Sequence, residues 1–192
     1  MKLRDSGMPD EAYWETLFDI PHTLDALGVC RALTDVVELG CGYGTFSIPV
    51  ARRISGTLFT YDIDSRMIER TKARAANLEV SNIVIHERDV IERGFELPAQ
   101  SVDAVLLFNI LHCEHPELLL SQANQVLRPG GQLLVTHWLY NAQTPRGPAL
   151  ELRPRPLQII QWANMKGVFN VVGAEIRLPP WHYGLKLLKS GE

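Results

Sequence analysis

The chain of 192 residues has few cysteines, no excess of basic residues and no long apolar run. Its three cysteines, Cys30, Cys41 and Cys113, are widely spaced and include no C-x-x-C pair, so we expect neither a disulfide framework nor a metal site. The 22 acidic and 19 basic residues give a formal charge of -3. Because phosphate binding needs concentrated Lys and Arg, we expect no nucleic-acid partner.

Segments that would indicate a membrane or secreted protein are also missing. The most apolar stretch, residues 102–111, is interrupted by Asp103 and Asn109 and is too short to cross a bilayer. The first residues are mixed and polar, unlike a signal peptide. We therefore expect one globular, cytoplasmic domain with no membrane partner, present as a monomer or a homodimer.

What the sequence does contain is a regular alternation of strand and helix patterns. The predicted strands cover residues 36–39, 57–61, 83–86, 102–108 and 132–138, and the predicted helices cover residues 46–54, 65–77 and 116–127. Apolar strands that alternate with helices are typical of a parallel sheet covered on both faces.

The two ends of the chain follow a different pattern. Residues 141–156 contain four prolines and are predicted to be irregular. Only a short Pro179-Pro180 connection joins the last two extended runs, which indicates an antiparallel pair. Outside the core we predict helices over residues 9–20, 22–27 and 156–166 and extended runs over residues 168–177 and 182–189.

The strongest motif is a glycine-rich loop between the first predicted strand and the first core helix. It runs Glu38-Leu39-Gly40-Cys41-Gly42-Tyr43-Gly44. Glycines allow a tight turn and a close approach of the backbone to a ligand, and a helix N-terminus offers free N–H groups. Asp62 ends the next strand, about 20 residues on, where an adenosine ribose would present its hydroxyls. A plain strand-to-helix turn is the alternative interpretation.

Two details of this loop favour one adenosine ligand over another. The spacing is G-x-G-x-G, so the G-x-G-x-x-G turn that binds a pyrophosphate is not reproduced. A carboxylate at Glu38 would repel a pyrophosphate but suits the ammonium of an amino-acid moiety.

With these motifs, residues 35–138 resemble the class I S-adenosylmethionine-dependent methyltransferases that act on small molecules. Three further segments match the family in order, namely Arg88-Asp89-Val90, residues 102–112 and residues 126–131. The resemblance implies a Rossmann-like α/β fold. Its sheet has seven mostly parallel strands, an antiparallel last strand, and helices on both faces.

The resemblance also implies which residues bind S-adenosylmethionine. The glycine loop would wrap the methionine part, Asp62 would hold the ribose, and Asp89 would meet the adenine. The implied cofactor-binding residues are Glu38, Gly40, Cys41, Gly42, Gly44, Asp62, Ile63, Asp89, Val90 and Asn109.

Two histidines are candidates for the catalytic step. His112 follows the fourth predicted strand and His137 lies near the end of the fifth, both at the sheet edge where open α/β folds bind ligands. An imidazole can take a proton from an acceptor at neutral pH. The alternative is that each histidine caps a carbonyl or packs under a lid. Arg153 is expected to lie on a solvated loop, with binding of an acidic acceptor as the alternative, and Asp103 is expected to be structural.

The expected function is methyl transfer from S-adenosylmethionine to a small-molecule acceptor. Within a single methyltransferase domain over residues 1–192, residues 1–30 form a helical lid and residues 35–138 form the cofactor core. Residues 139–192 supply a lid segment, a helix and the final strand pair. Two alternatives are a non-catalytic cofactor-binding or scaffold protein of the same fold and an NAD(P)-dependent oxidoreductase.

Overall fold

The computed structural model describes residues 8–165 and 167–191. Predictions that concern residues 1–7, Lys166 or Glu192 lie outside the described residues. The strands are β1 (Val36–Leu39), β2 (Leu58–Asp62), β3 (Ile83–Glu87), β4 (Val102–Phe108), β5 (Leu127–Trp138), β6 (Phe169–Val171), β7 (Ile176–Leu178) and β8 (His182–Lys189). The helices are α1 (Glu11–Glu15), α2 (Ile20–Leu27), α3 (Ser47–Arg53), α4 (Ser65–Asn77), α5 (Val90–Arg93), α6 (Pro116–Val126) and α7 (Pro156–Asn164).

All the strands belong to one sheet, in the order β3-β2-β1-β4-β5-β8-β6, and short β7 pairs with β8 outside this path. Strands β1 to β5 are mutually parallel, and β8 is antiparallel to its neighbours β5, β6 and β7. The predicted mostly parallel sheet with an antiparallel last strand is confirmed. The predicted run over residues 168–177 is wrong as one strand, because a turn that includes Gly173 (φ 74°) divides it into β6 and β7.

Helices cover both faces of this sheet. Successive residues of a strand point to opposite faces, so Val105 and Leu107 of β4 join the core under α6 and α7. Ala104 and Leu106 join the core under α2 and α3. Burial on both faces of the central strand β4 explains why that strand is almost continuously apolar in sequence.

The N-terminal helix differs from its prediction over residues 9–20. Helix α1 ends at Glu15, and a separate helix begins at Ile20. The Asp19 side chain accepts a hydrogen bond from the His22 backbone N–H (3.0 Å) and so caps the start of α2. Pro21 has no backbone N–H with which to continue an earlier helix. Between the two helices, Phe18 forms an isolated β-bridge with Pro180, so the backbone leaves the helical path there.

Other differences lie at element ends. Strand β5 begins at Leu127 instead of Gln132, because the segment before it is already extended and Leu127 pairs with Val102. Asp103 is structural, as expected. It accepts the Thr34 backbone N–H (2.7 Å) and pairs with Arg128.

The topology brings the loops that follow β1, β2, β4 and β5 to one edge of the sheet. In an open α/β sheet this carboxyl-end edge is where ligands bind. Helix α1 lies against the same edge through contacts with the glycine loop and α4. Over the part of the chain that the structure describes, no helix is long and apolar enough to span a membrane.

Candidate active site

The glycine loop adopts a backbone conformation that favours glycine at three positions. Gly40, Gly42 and Gly44 have φ values of 87°, 53° and 75°, in the left-handed region. A Cβ atom added to Gly40 would meet only Ile110 Cδ1 (3.7 Å) within 4 Å. At Gly40, backbone conformation and not a crowded neighbour requires glycine. The open backbone suits close contact with a ligand.

Asp62 ties this loop to the end of β2. Its Oδ2 accepts the Gly42 backbone N–H and its Oδ1 accepts the Asp64 backbone N–H, each at 3.0 Å. A carboxylate oxygen can accept more than one hydrogen bond, so both oxygens keep capacity for ligand hydroxyls. Ile63, the next residue, is partly buried beside it.

Glu38 lies beneath the loop and is only 2% exposed. Its Oε2 accepts hydrogen bonds from the hydroxyls of Ser47 and Thr60. Burial raises the pKa of Glu38 to about 7, although the two hydrogen bonds partly oppose this rise and nearby Asp62 adds to it. A positive charge nearby would favour the ionised form, so this site fits a ligand ammonium.

Cys41 is buried within the loop, as its expected packing role requires. Burial is the main reason that the pKa of its thiol lies well above the usual value. A neutral thiol is a poor nucleophile, so Cys41 can contribute its backbone but not covalent catalysis.

Asp89 follows β3 and caps the short helix α5, which the sequence patterns did not predict. Its Oδ1 accepts the backbone N–H groups of Ile91 (3.0 Å) and Glu92 (3.2 Å). Val90 is buried beside it. A helix of four residues shows too little periodicity to be recognised in sequence, but the capping aspartate is a usable signal.

Asn109 stands immediately after β4 in a left-handed conformation (φ 55°). Its backbone N–H donates to the Thr136 carbonyl (2.9 Å), which holds the loop after β4 against β5. Its side-chain Oδ1 is buried and has no hydrogen-bond partner among the described residues. Buried polar atoms are normally satisfied, so this oxygen fits a polar ligand group or a water.

The structure brings the two candidate histidines together. The rings of His112 and His137 are 5.5 Å apart, edge to face. His137 is fully buried, and neither of its ring nitrogens has a hydrogen-bond partner within residues 8–165 and 167–191. The Nδ1 atom of His112 is also buried and has no hydrogen-bond partner among the described residues. Burial lowers the pKa of His112. The pKa of His137 lies well below its usual value, mainly because the ring is buried and also because His112 is close to it.

His112 also lines a cavity of about 310 Å³ between the loop after β4 and the start of α7. Apolar and charged side chains share its wall. These include Leu111, His112, Glu117, Glu151, Arg153, Gln158 and Trp162. The loop after β4 links the cavity to the glycine loop, because Ile110, two residues before His112, lies 3.7 Å from a Cβ atom built at Gly40.

Arg153 was expected on a solvated loop, and that expectation is wrong. The side chain is 7% exposed. Its guanidinium donates to one hydroxyl, that of Thr144, and to the backbone carbonyls of Leu139, Asn141, Arg146 and Pro148. The carbonyls belong to an irregular, proline-rich segment that offers no regular helix or sheet pairing, and the guanidinium binds them together. No sequence pattern marks such a set of acceptors.

Helix α1 and Pro9, just before it, contact the carboxyl-end edge of the sheet. The Tyr43 hydroxyl donates to the Pro9 carbonyl (2.7 Å), and Arg74 of α4 pairs with Glu15 (2.5 Å). Trp14, from the same helix, packs against Trp138 with ring centroids 6.3 Å apart. His182, to which the sequence assigned no role, also packs against Trp138. Burial lowers the pKa of His182 to about 3.

The described residues include no group of three or more His, Cys, Asp or Glu side chains placed to hold a metal ion. The polar groups at this edge include carboxylates, two imidazoles, the Asn109 amide and backbone N–H groups. Such a set can bind a polar organic ligand and accept a proton.

Comparison with known proteins places this arrangement in a family. A model of the methyltransferase domain matches residues 36–131, half of the chain. A 37.1 kDa transposon protein of Streptomyces fradiae is 30% identical over 162 residues, 79% of this chain and 46% of that protein. The 27-O-demethylrifamycin SV methyltransferase of Amycolatopsis mediterranei is 31% identical over 112 residues, 57% of this chain and 40% of that enzyme.

A tRNA N(3)-cytidine methyltransferase of Danio rerio is 26% identical and matches 52% of this chain and 30% of that enzyme. The chain thus spans less than half the length of these curated relatives. Among solved structures, an S-adenosylmethionine-dependent methyltransferase from Aquifex aeolicus has a TM-score of 0.81, 19% identity and 94% coverage of both chains. The fold agrees with the matched family model, and the chain belongs to the methyltransferase domain family, whose class I members use S-adenosylmethionine.

Proposed function

We propose that this chain transfers the methyl group of S-adenosylmethionine to a small-molecule acceptor. The observation that carries the proposal is the position of His112, a partly buried imidazole in the wall of a cavity, two residues from the contact between Ile110 and the glycine loop. A cofactor site and an acceptor site are thus adjacent at the carboxyl edge of the sheet.

The cofactor roles follow from the chemistry of each side chain. Bound S-adenosylmethionine supplies an electrophilic methyl group on a sulfonium. The backbone of Gly40 to Gly44 and the Glu38 carboxylate would hold its amino-acid end. The Asp62 oxygens would accept the ribose hydroxyls, and Asp89 with Val90 would hold the adenine. The buried oxygen of Asn109 gains a partner when a polar ligand occupies the edge.

The two histidines take different roles in this proposal. His112 reaches the cavity and stays neutral because burial lowers its pKa, so it can accept a proton from the acceptor. His137 is fully buried and does not line the cavity. We therefore assign His137 as a positioning residue that fixes the ring of His112 by edge-to-face contact.

The flanking segments complete the proposed domain. Helix α1 acts as a lid, and residues 151–154 form part of the cavity wall, with Arg153 holding the carbonyls of the preceding segment in place. The three cysteines are free, which suits a reducing cytoplasm.

The volume of the cavity fits a small acceptor better than a macromolecule. A volume of about 310 Å³ is at the lower end of the roughly 300–1,000 Å³ range that small ligands occupy. The Amycolatopsis mediterranei relative is named for a small-molecule substrate and the Danio rerio relative for tRNA. The balance of 22 acidic against 19 basic residues gives no general attraction to tRNA phosphates.

Transfer of a labelled methyl group tests this proposal. We expect the protein, given methyl-labelled S-adenosylmethionine, to label members of a mixture of small amines, alcohols and thiols and to leave bulk tRNA unlabelled. Label on tRNA alone would overturn the small-molecule assignment. Cofactor binding without label on any acceptor would favour the scaffold alternative.

A further inference from the structure

The wall of the cavity beside His112 combines apolar and acidic side chains. Leu111, Pro154 and Trp162 supply apolar surface, and Glu117 and Glu151 stand at the solvent-exposed side. An aromatic face together with carboxylates is a combination that attracts a positively charged ligand. The cavity therefore favours a ligand that is positively charged as well as small.

The one arginine in the cavity wall does not reverse this preference. Arg153 is 7% exposed, and its guanidinium already donates to four backbone carbonyls and to the Thr144 hydroxyl. These contacts direct its hydrogen-bond donors to the protein. An anionic ligand would meet Glu117 and Glu151 without gaining a well-exposed cation among the residues that line the cavity.

His112 in the cavity wall suits an acceptor that must lose a proton before it is methylated. His112 Nδ1 is buried without a partner in the described part of the chain, and the adjacent ring of His137 is unpartnered at both nitrogens. Burial lowers the pKa of both histidines, so neither adds positive charge to the cavity at neutral pH. A neutral imidazole can accept a proton from a bound ammonium group.

From this cavity we infer that the methyl acceptor is a small primary or secondary amine, bound in its protonated form between the Glu117 and Glu151 carboxylates and the Trp162 ring. The inference rests on the proposed function and names its substrate class. The ammonium gives one proton to the His112 imidazole. The freed nitrogen lone pair then forms a bond to the methyl carbon, and the sulfur keeps the electron pair of the broken S–C bond. The imidazolium finally releases its proton to solvent.

Three probes of one shape and different charge test the inference in protein saturated with S-adenosylhomocysteine. Benzylamine, benzyl alcohol and benzoate share a ring and differ in their charge at neutral pH. We expect calorimetry to give a Kd for benzylamine at least tenfold lower than for either other probe. In the double variant Glu117→Gln/Glu151→Gln we expect this preference to fall at least fivefold.

A matched control and a prior titration separate the outcomes. Glu69→Gln, on exposed α4 beside Lys72 and outside the cavity wall, should leave all three affinities unchanged. If S-adenosylhomocysteine binds but benzylamine shows no preference or no binding, the amine inference is overturned and the proposed function stands. Failure of S-adenosylhomocysteine itself to bind would overturn both.

Discussion

The variant His112→Gln is expected to lose about 10²–10⁴-fold in kcat, the range that a positioned general base contributes. Glutamine keeps a polar side chain of similar length but cannot take a proton from the acceptor. The affinity for S-adenosylhomocysteine should change little, because His112 lies in the wall of the acceptor cavity. Steady-state turnover with a labelled acceptor and a binding titration measure the two effects separately.

The pH profile gives a second signature of the same residue. Burial lowers the pKa of His112, so the imidazole stays neutral and active until the pH falls through that lowered value. The kcat/KM of the wild type should therefore fall on the acidic side, and this limb should be absent from His112→Gln. His22→Gln, at an exposed position of α2, is the matched control. An unchanged kcat in His112→Gln would remove the histidine from the mechanism.

The second large effect is expected at the end of β2. Asp62→Ala should weaken S-adenosylhomocysteine binding by more than tenfold, because it removes the acceptors proposed for the ribose. It also removes the 3.0 Å bond that holds the Gly42 backbone N–H. Asp62→Asn keeps one acceptor oxygen and should have an intermediate affinity. Calorimetric titration measures all three proteins.

A control aspartate separates this effect from general loss of charge. Asp25 on α2 has a 71% exposed side chain and pairs with Arg53 away from the glycine loop, so Asp25→Ala should bind the ligand as the wild type does. If Asp62→Ala keeps full affinity, the ribose assignment is wrong.

Much of this fold could be predicted because its elements have strong local signals. Helix α4, strand β4 and strand β8 begin and end at the predicted residues. In α4 the buried residues Met67, Ile68, Thr71 and Ala75 recur at helical spacing, and Asp64 caps the first turn. The glycine spacing likewise indicated the strand, turn and helix that position the candidate cofactor site.

The features that could not be predicted depend on tertiary contacts. The role of Arg153 depends on carbonyls that an irregular, proline-rich backbone turns toward one point. The pairing of His112 with His137 depends on the register between β4 and β5 and on the loop after Phe108. Neither arrangement produces a periodic pattern in the sequence, and residue type alone does not distinguish a buried histidine from an exposed one.

Calorimetric titration of the wild-type chain with S-adenosylhomocysteine, beside NADH, is the most direct test of the account. We predict micromolar binding of S-adenosylhomocysteine and no binding of NADH, because the G-x-G-x-G loop and the buried Glu38 suit an amino-acid group and disfavour a pyrophosphate. Binding of NADH, or of neither ligand, would contradict the assignment of the glycine loop as an S-adenosylmethionine site.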